Sequence, residues 1–410
     1  CALPIFILPL GSILGIVLLT KIAGKVRAFE KFTVPEILGD RFGPGARMLS
    51  VIALVIAYMV IVSYQFNAGG AVLNTVLMDE TGNSLISIQT GTIIAAIFII
   101  AYTMLAGLVS VAYTDVANGI IIIFSFVIAI PIFLAQAGGF SGMAASFEAM
   151  GKPEHMNFFG VYSTMDIFNF CLPPFLLIMG DANMYQRFFA SKNAKGAEQA
   201  TKVLIFAVLL AELMIIFSAW VVSSMIPDAE VGKYVLIYAA HKLLPTFLGA
   251  IMMTTIVGII ISTADSFLLV PATTLMRDVY LNYINPKANE KKIVLLSRVL
   301  VLGLGIIAYI VSLGFAKSSG FFERALYAYT IYGAAITPSL VAALFWKRAT
   351  KEGAVVSILT GTVTTLLWKE AAFIQNIIPQ NIYNNMDEVL PAITLSVVSL
   401  VVVSLLTKKN

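Results

Sequence analysis

The sequence predicts an all-helical protein that crosses a membrane many times, and two observations carry this prediction. The 410 residues are 59% hydrophobic and only 12% charged, and their mean hydropathy is +0.93. An ordinary soluble domain has about a quarter of its residues charged. Apolar stretches that reach the length needed to span a bilayer, about 20 residues, recur along the chain between charged or turn-rich breaks.

Eleven apolar stretches are predicted to be transmembrane helices, because the strands of a membrane barrel would be short and alternating in polarity. In chain order they cover residues 2–23, 46–77, 85–106, 108–136, 165–190, 197–226, 244–276, 292–315, 322–345, 353–368 and 390–406. With the loop after the first span placed inside, 20 of the 26 Lys and Arg residues fall on the inner side, as the positive-inside rule expects. We therefore expect a multi-pass protein of the cell membrane with a cytoplasmic C-terminus. The net charge of +4 then needs no nucleic-acid partner.

The first predicted span follows Cys1 directly, without an initiator Met or a signal peptide. We expect the N-terminus to be truncated, with a further span upstream. Two cysteines are too few for a disulfide framework or a metal cluster, and Cys171 is interpreted as a packed apolar residue.

Catalytic motifs are missing from the sequence. The two histidines, His155 and His241, fall in predicted outer loops, and there is no P-loop, no H-E-x-x-H and no cysteine cluster. We therefore expect a protein that is not an enzyme, that has no cofactor, and that draws its energy from an ion gradient. A channel is disfavoured, because neither a continuous polar stripe nor a filter sequence is seen.

Four carboxylates lie inside predicted spans, where charges are costly and tend to mark ion or substrate paths. They are Asp115, Asp181, Glu212 and Asp265. At about 1.5 Å per residue, Asp115 lies roughly two turns from the inner side and Asp265 roughly three. The two carboxylates are therefore expected to face each other in the inner half of the membrane.

Polar groups form a stripe on the seventh span. Ile259, Ser262, Thr263 and Ser266 follow one another at i, i+3, i+4 and i+7 on one helical face, and Asp265 lies beside them. Hard cations such as sodium prefer oxygen ligands, which hydroxyls and a backbone carbonyl supply. Serine and threonine also serve helix packing in membranes, so the spacing alone leaves both interpretations open.

Four segments stand out as motifs: 32–43 (FTVPEILGDRFG), 102–115 (YTMLAGLVSVAYTD), 180–187 (GDANMYQR), and the stretch from Ser262 to Tyr280. The first of them also predicts a capping box between Thr33 and Glu36. Together the four segments resemble the sodium:solute symporter family, which includes the sodium/proline, sodium/pantothenate, sodium/sialic acid and sodium/glucose cotransporters, although Ala106 stands where a glycine is usual. The resemblance runs through nearly the whole chain.

The resemblance implies a leucine-transporter-type fold of two inverted five-helix repeats. Residues 1–136 would then hold core helices 2–5, residues 137–345 core helices 6–10, and residues 346–410 two additional C-terminal helices. The first core helix, with half of the expected sodium ligands, would be absent. The implied function is sodium-coupled import of a small organic solute by alternating access. A proton-coupled permease and a transporter-like sensor remain the alternatives, and the oligomeric state is open.

The resemblance also implies site residues. Ser262 and Thr263 fall on the family's hydroxyl ligands for sodium, and Ile259 falls on its carbonyl ligand. The positions of a second, inner sodium site correspond to Asp115, Asp265 and Ser266, although Asp265 stands where certain members have serine.

The solute site is expected near a break in the sixth core helix, for which Pro173 and Pro174 with Gly180 give a physical reason. Candidates around it are Tyr64, Gln65, Asn169, Asp181, Asn183, Glu212, Tyr329 and Tyr332. For the tyrosines, helix packing or a position in an interfacial belt is the stronger interpretation. Sugar-transporting relatives place a lysine where this sequence has Val208, and the interior is expected to hold acids but no Lys or Arg. The first point argues against a sugar of that kind, and the second favours a zwitterion or an amine.

Overall fold

A computed structural model describes residues 8–29, 31–78, 83–105, 107–157, 162–227, 234–315, 320–368 and 371–407. The predictions that concern Cys1 and Ala106 fall outside this part of the chain. Regular structure in the described residues is helical, and strand-like pairing is limited to one isolated bridge between Met78 and Ser84.

The described helices, numbered in chain order, are α1 (Leu8–Arg27), α2 (Val34–Phe42), α3 (Pro44–Val76), α4 (Ile88–Leu105), α5 (Leu108–Gln136), α6 (Gly139–Ala149), α7 (Thr164–Gly180), α8 (Ala182–Ala190), α9 (Ala194–Ser223), α10 (Val235–Lys242), α11 (Thr246–Thr274), α12 (Glu290–Phe315), α13 (Phe321–Phe345), α14 (Lys351–Trp368), α15 (Ala372–Ile377), α16 (Gln380–Asn385) and α17 (Val389–Leu406). A 3₁₀ turn covers Pro153–Met156. A π-helical stretch, Leu275–Ile284, continues α11.

Within the described residues, ten helices are long and apolar enough to cross a membrane. They correspond to ten of the eleven predicted spans. The remaining span is α14, which is helical where predicted but is not among these ten; its 18 residues begin with the charged pair Lys351 and Glu352. The membrane-protein class expected from the sequence is confirmed.

The predicted capping box at the start of α2 forms in a modified way. Thr33 is the N-cap, and its hydroxyl accepts a hydrogen bond from the Glu36 N–H at 3.1 Å. The Glu36 carboxylate accepts from the N–H of Phe32 at 3.0 Å, one residue earlier than the capping box requires. The contact still fixes the start of the helix.

Helix α13 lies at the centre of the molecule and packs against α3, α7, α14 and α17. In its most apolar window 78% of the residues are buried, against 22% for α5 and for α12. The outer helices show large apolar side chains, among them Val116 and Ile310, which are 65% and 60% exposed. In a membrane protein such side chains face lipid.

Two groups of helices position the polar residues. Helix α5 packs against α9 and α11, whereas α7 packs against α1 and α13. Helix α3 contacts both α11 and α13, so it connects the two groups. The division of the chain into segments 1–136, 137–345 and 346–410 stays a prediction.

Candidate functional site

Asp115 on α5 is the centre of a polar cluster between three helices. One carboxylate oxygen, Oδ1, accepts a hydrogen bond from the Ser262 hydroxyl on α11. The other, Oδ2, lies 2.5 Å from Nη2 of Arg187 on α8. The structure therefore brings the predicted residues of α5 and α11 together and adds a cation from a third helix.

Asp265 lies one helical turn after Ser262 and is completely buried, with 0% of its surface exposed. Neither of its carboxylate oxygens has a hydrogen-bond partner among the described residues. It lies within electrostatic range of Asp115, Ser266 and Arg187. Removing an ionised carboxylate from water is costly unless a cation, a proton or hydrogen-bond donors compensate it. Asp265 is thus the group in this region that most needs a ligand.

Arg187 was missed by the sequence analysis, which treated it as a basic residue of the inner side. Its guanidinium reaches Asp115 and also lies 3.3 Å from Oγ of Ser266. It further donates to the side chain and to the backbone carbonyl of Asn183, one turn earlier on α8. The expectation that the interior holds no Lys or Arg is therefore wrong. The i, i+4 spacing of Asn183 and Arg187 could have indicated that the two side chains lie on one helical face and interact. We name Asp115, Arg187, Ser262, Asp265 and Ser266 the inner cluster.

The other two predicted sodium ligands, Ile259 and Thr263, also lie on α11. Ile259 and Thr263 are half-buried on α11. Asn118 on α5 donates its amide to the carbonyl of Gly258 at 3.3 Å, one residue before Ile259. The structure thus places these predicted ligands of α11 next to α5.

The helix break lies at Asp181, between α7 and α8, where the backbone angles are φ −59° and ψ 109°. The buried Asp181 carboxylate accepts from the Tyr58 hydroxyl at 2.5 Å and from the Asn183 N–H at 3.1 Å. Tyr332 donates its hydroxyl to the Gly180 carbonyl at 2.8 Å. The Tyr332 hydroxyl of α13 and the Asp181 carboxylate therefore bind backbone groups at the break, and Tyr58 of α3 holds that carboxylate in place.

The predicted break is present directly after Gly180, but Pro173 and Pro174 do not interrupt the helix. Both lie inside α7, and a hydroxyl from α13, Thr337, donates to the Leu176 carbonyl at 2.6 Å. Neighbouring helices can satisfy backbone groups that a proline frees in a membrane helix. A Cβ at Gly180 would clash with Oγ1 of Thr337, so the break coincides with a close approach of α7 and α13.

The remaining candidate solute residues fall into separate places. Tyr64 on α3 and Tyr329 on α13 have hydroxyls 3.5 Å apart, and Gln65 is buried beside Tyr64. Glu212 on α9 accepts from Ser12 on α1, whose hydroxyl lies 3.0 Å from each carboxylate oxygen.

Asn169 has a different surrounding from the other candidates. Its amide donates to the Asn385 carbonyl at 3.0 Å, and its Oδ1 accepts from the Asp387 N–H at 3.3 Å. Asn169 therefore ties α7 to the segment before α17. Tyr58 has the contact with Asp181 that the sequence analysis did not foresee. It lies two turns before Gln65 on α3, a spacing that could have indicated a shared face.

The sequence is similar to those of known transporters over most of its length. The family model of the sodium:solute symporter family matches residues 2–361. A high-affinity proline transporter of Bacillus subtilis (strain 168) is 26% identical over 394 residues, which cover 93% of this chain and 78% of the relative. A sodium/proline symporter of Haemophilus influenzae is 24% identical over 408 residues, which cover 95% of this chain and 78% of the relative.

The fold is similar to that of solved transporters. A structure of a Na⁺-coupled sialic acid symporter superposes with a TM-score of 0.76 at 15% identity, covering 98% of this chain and 83% of the other. A nucleobase-cation-symport-1 family transporter superposes with a TM-score of 0.58 at 10% identity, covering 98% and 86%. Because the family model spans most of the sequence, this chain belongs to the sodium:solute symporter family: it is a sodium-coupled symporter of the leucine-transporter-type fold, and not an enzyme.

Proposed function

We propose that the protein imports a small zwitterionic amino acid, with proline as the first candidate, together with sodium across the cytoplasmic membrane by alternating access. Two relatives named for proline support this solute class. The groups around the helix break, namely Tyr58, Asp181 and Tyr332, are hydroxyls and one carboxylate. Position 208 on α9 is a valine, so the lysine of the sugar-transporting pattern is not there.

The observation that carries the proposed cation coupling is the buried Asp265 without a hydrogen-bond partner. Its neighbour Ser266 and the Asp115 carboxylate supply further oxygen atoms, the ligand type that sodium prefers. We assign Asp115, Asp265 and Ser266 to an inner cation site. The hydroxyls of Ser262 and Thr263 and the carbonyl of Ile259 are assigned to a sodium site earlier on α11.

Arg187 places a condition on this assignment. Its guanidinium contacts both Asp115 and Ser266, so it supplies positive charge where the inner site would hold sodium. Sodium and Arg187 then compete for Asp115, whereas the Asp265 carboxylate oxygens have no hydrogen-bond partner among the described residues. This competition offers a way to release sodium: when Arg187 pairs with Asp115, the ion loses Asp115 as a ligand.

The solute is assigned to the space bordered by α3, α7 and α13. The hydroxyls of Tyr64 and Tyr329 are only weakly paired at 3.5 Å, near the long end of hydrogen-bond geometry. They can therefore exchange this contact for a ligand at little cost. Asp181 and Tyr332 bind backbone groups at the break between α7 and α8 and would position them next to the solute.

Uptake into sealed vesicles tests this function. Purified protein is reconstituted, a sodium gradient is imposed at fixed pH, and uptake of radiolabelled proline is measured with sodium replaced by choline in a parallel sample. We expect uptake with sodium and loss of uptake with choline. Unlabelled alanine, betaine, glucose and pantothenate are then added as competitors. Competition by glucose alone would contradict the solute class, and equal uptake in choline would contradict sodium coupling for this solute.

A proton is the second candidate for the coupling ion, and one observation favours it: the unpartnered Asp265 carboxylate can also be neutralised by a proton. The two candidates differ in their response to ions. If a proton gradient without sodium drives uptake and a sodium gradient at equal pH does not, Asp265 serves proton coupling. We expect the opposite result.

A further inference from the structure

A basic cleft lies where α1, α2 and α13 end on the same side of the molecule. Its walls are Lys25 in the last turn of α1, Arg41 in the last turn of α2, and residues 343–347 at the end of α13 and directly after it. Its volume is about 400 Å³, within the range of small-ligand sites, which begins at about 300 Å³. Three of its seven lining residues are basic and none is acidic.

The cations of the cleft are held in place by backbone carbonyls. Lys25 Nζ lies 2.5 Å from the Leu344 carbonyl oxygen and 4.3 Å from the ring centre of Phe345. Arg41 Nη2 donates to the carbonyl of Lys347 at 3.1 Å. These contacts suit cations near a helix C-terminus. They leave most donors unused, because an ammonium group has three N–H donors and a guanidinium five.

The positive charge of the cleft is not compensated within the described part of the chain. Among the described residues, no carboxylate lies within ion-pair distance of Lys25, Arg41 or Lys347. Other basic residues of the same side are paired: Lys31 lies 2.5 Å from Asp40. The cleft therefore attracts an anion, and its donors can bind several oxygens of that anion at once.

The position of the cleft identifies the kind of anion. Lys25 and Phe345 lie in the last turns of two membrane-spanning helices, and the Phe345 side chain is 53% exposed. Trp346 follows it, and aromatic residues of this kind are typical of the membrane–water boundary. A ligand here meets the lipid headgroups on one side and an apolar ring on the other. A free phosphate ion would use the donors but not the aromatic residues.

We propose that this cleft binds the phosphate headgroup of an anionic phospholipid, such as phosphatidylglycerol. Basic pockets between transmembrane helices bind such headgroups. The bound phosphate would connect Lys25 of α1 to Lys347 beyond α13, so the lipid would join two helices that otherwise meet at this end through the Lys25 contact with Leu344. The proposal is independent of which solute is carried.

Native mass spectrometry of the purified protein tests the site. The protein is incubated with phosphatidylglycerol or phosphatidylcholine, and retained lipid is counted for the wild type and for Lys347→Gln. Lys347 is chosen because, among the described residues, its side chain does not cap α13. The triple variant Lys25→Gln, Arg41→Gln, Lys347→Gln is added, and Lys25→Arg tests whether charge alone suffices. Lys287→Gln with Lys291→Gln removes two exposed cations of the same side, outside the cleft, as the matched control.

We expect retention of phosphatidylglycerol over phosphatidylcholine by the wild type, by Lys25→Arg and by the control. Each removed cation should weaken retention about fivefold, since a basic residue near anionic lipid contributes about 1 kcal/mol. Wild-type retention in both Lys347→Gln and the triple variant would overturn the site. A second arm adds inorganic phosphate at millimolar concentration. If phosphate replaces all of the bound phosphatidylglycerol, one ion for each lipid, a free anion is the ligand and the lipid assignment is wrong.

Discussion

Asp115 contacts a hydroxyl and a guanidinium at the same time. Asp115→Asn keeps the size and the hydrogen bond to Ser262 but removes the charge that holds Arg187. We expect slower transport and a sodium concentration for half-maximal uptake that rises roughly tenfold or more, because hydrogen bonds to charged groups contribute about 1.5–3 kcal/mol. Solute binding at saturating sodium should stay nearly normal. Sodium titrations of uptake and of solute binding check both parts.

The variant Arg187→Gln separates competition from direct ligation. If Arg187 competes with sodium for Asp115, its removal should lower the sodium concentration for half-maximal uptake, the opposite of Asp115→Asn. The double variant should then depart from additivity, as residues in one ion-pair network do. An increase in Arg187→Gln equal to that in Asp115→Asn would show that the two residues act only as a structural pair.

The hydroxyls of Ser262 and Thr263 give a second prediction at the residue scale. The double variant Ser262→Ala, Thr263→Ala should raise the sodium concentration for half-maximal uptake with little change in expression, because it removes oxygen ligands. Thr254→Ala is the control: it lies on the same helix, is exposed, and donates only to the Ala250 carbonyl at 2.8 Å. Unchanged sodium dependence in the double variant would remove both residues from the site.

Glu212 gives a third prediction at this scale. Its carboxylate is held by Ser12, and Glu212→Gln keeps an oxygen to accept that bond. We expect a solute affinity roughly tenfold lower with folding intact, since a charged hydrogen-bond partner is lost. Ser12→Ala removes the neighbour but keeps the charge, so it should have a smaller effect. Equilibrium binding of the solute distinguishes the cases, and wild-type affinity in Glu212→Gln contradicts a role in solute binding.

At the scale of helices, the sequence predicted the elements well and their interruptions poorly. Every predicted span contains a helix, because a bilayer demands long apolar segments with satisfied backbone groups. The break was placed partly at Pro173 and Pro174, since a proline removes a backbone donor. Thr337, which is distant in sequence, donates a hydrogen bond to a carbonyl of α7 and so helps the helix to continue past the prolines. Arg187 was missed for the same reason, because its partner Asp115 is far away in sequence.

Close helix contacts give a prediction at this scale. A Cβ at Gly333 on α13 would come within 2.6 Å of Cβ of Leu176 on α7, so Gly333→Ala must push the two helices apart. We expect a loss of about 1–3 kcal/mol of stability, the usual cost of overpacking, seen as a lower midpoint of thermal unfolding in detergent. Gly119→Ala on α5 is the control, since a Cβ there has no heavy atom within 4 Å among those compared. Equal midpoints in the two variants would contradict a tight α7–α13 contact.

At the scale of the whole molecule, the orientation in the membrane is the prediction still to be tested. Single cysteines are introduced at Lys287, on the predicted inner side, and at Glu148, on the outer side, in a background without Cys1 and Cys171. Both positions are exposed. A membrane-impermeant maleimide applied to intact cells should label position 148 alone, because basic loops stay in the cytoplasm. Labelling of position 287 alone would reverse the topology.

The inner cluster has a consequence for the electrical behaviour of transport. Two carboxylates and one guanidinium give it a formal charge of −1 when no ion is bound. A charge that crosses the full membrane field at 100 mV changes in energy by about 2.3 kcal/mol, so a voltage acts on the empty carrier more than on the loaded one. Arg187→Gln makes the empty cluster more negative, and Asp265→Asn makes it neutral. The transport current should therefore depend more steeply on membrane voltage in the first variant and less steeply in the second.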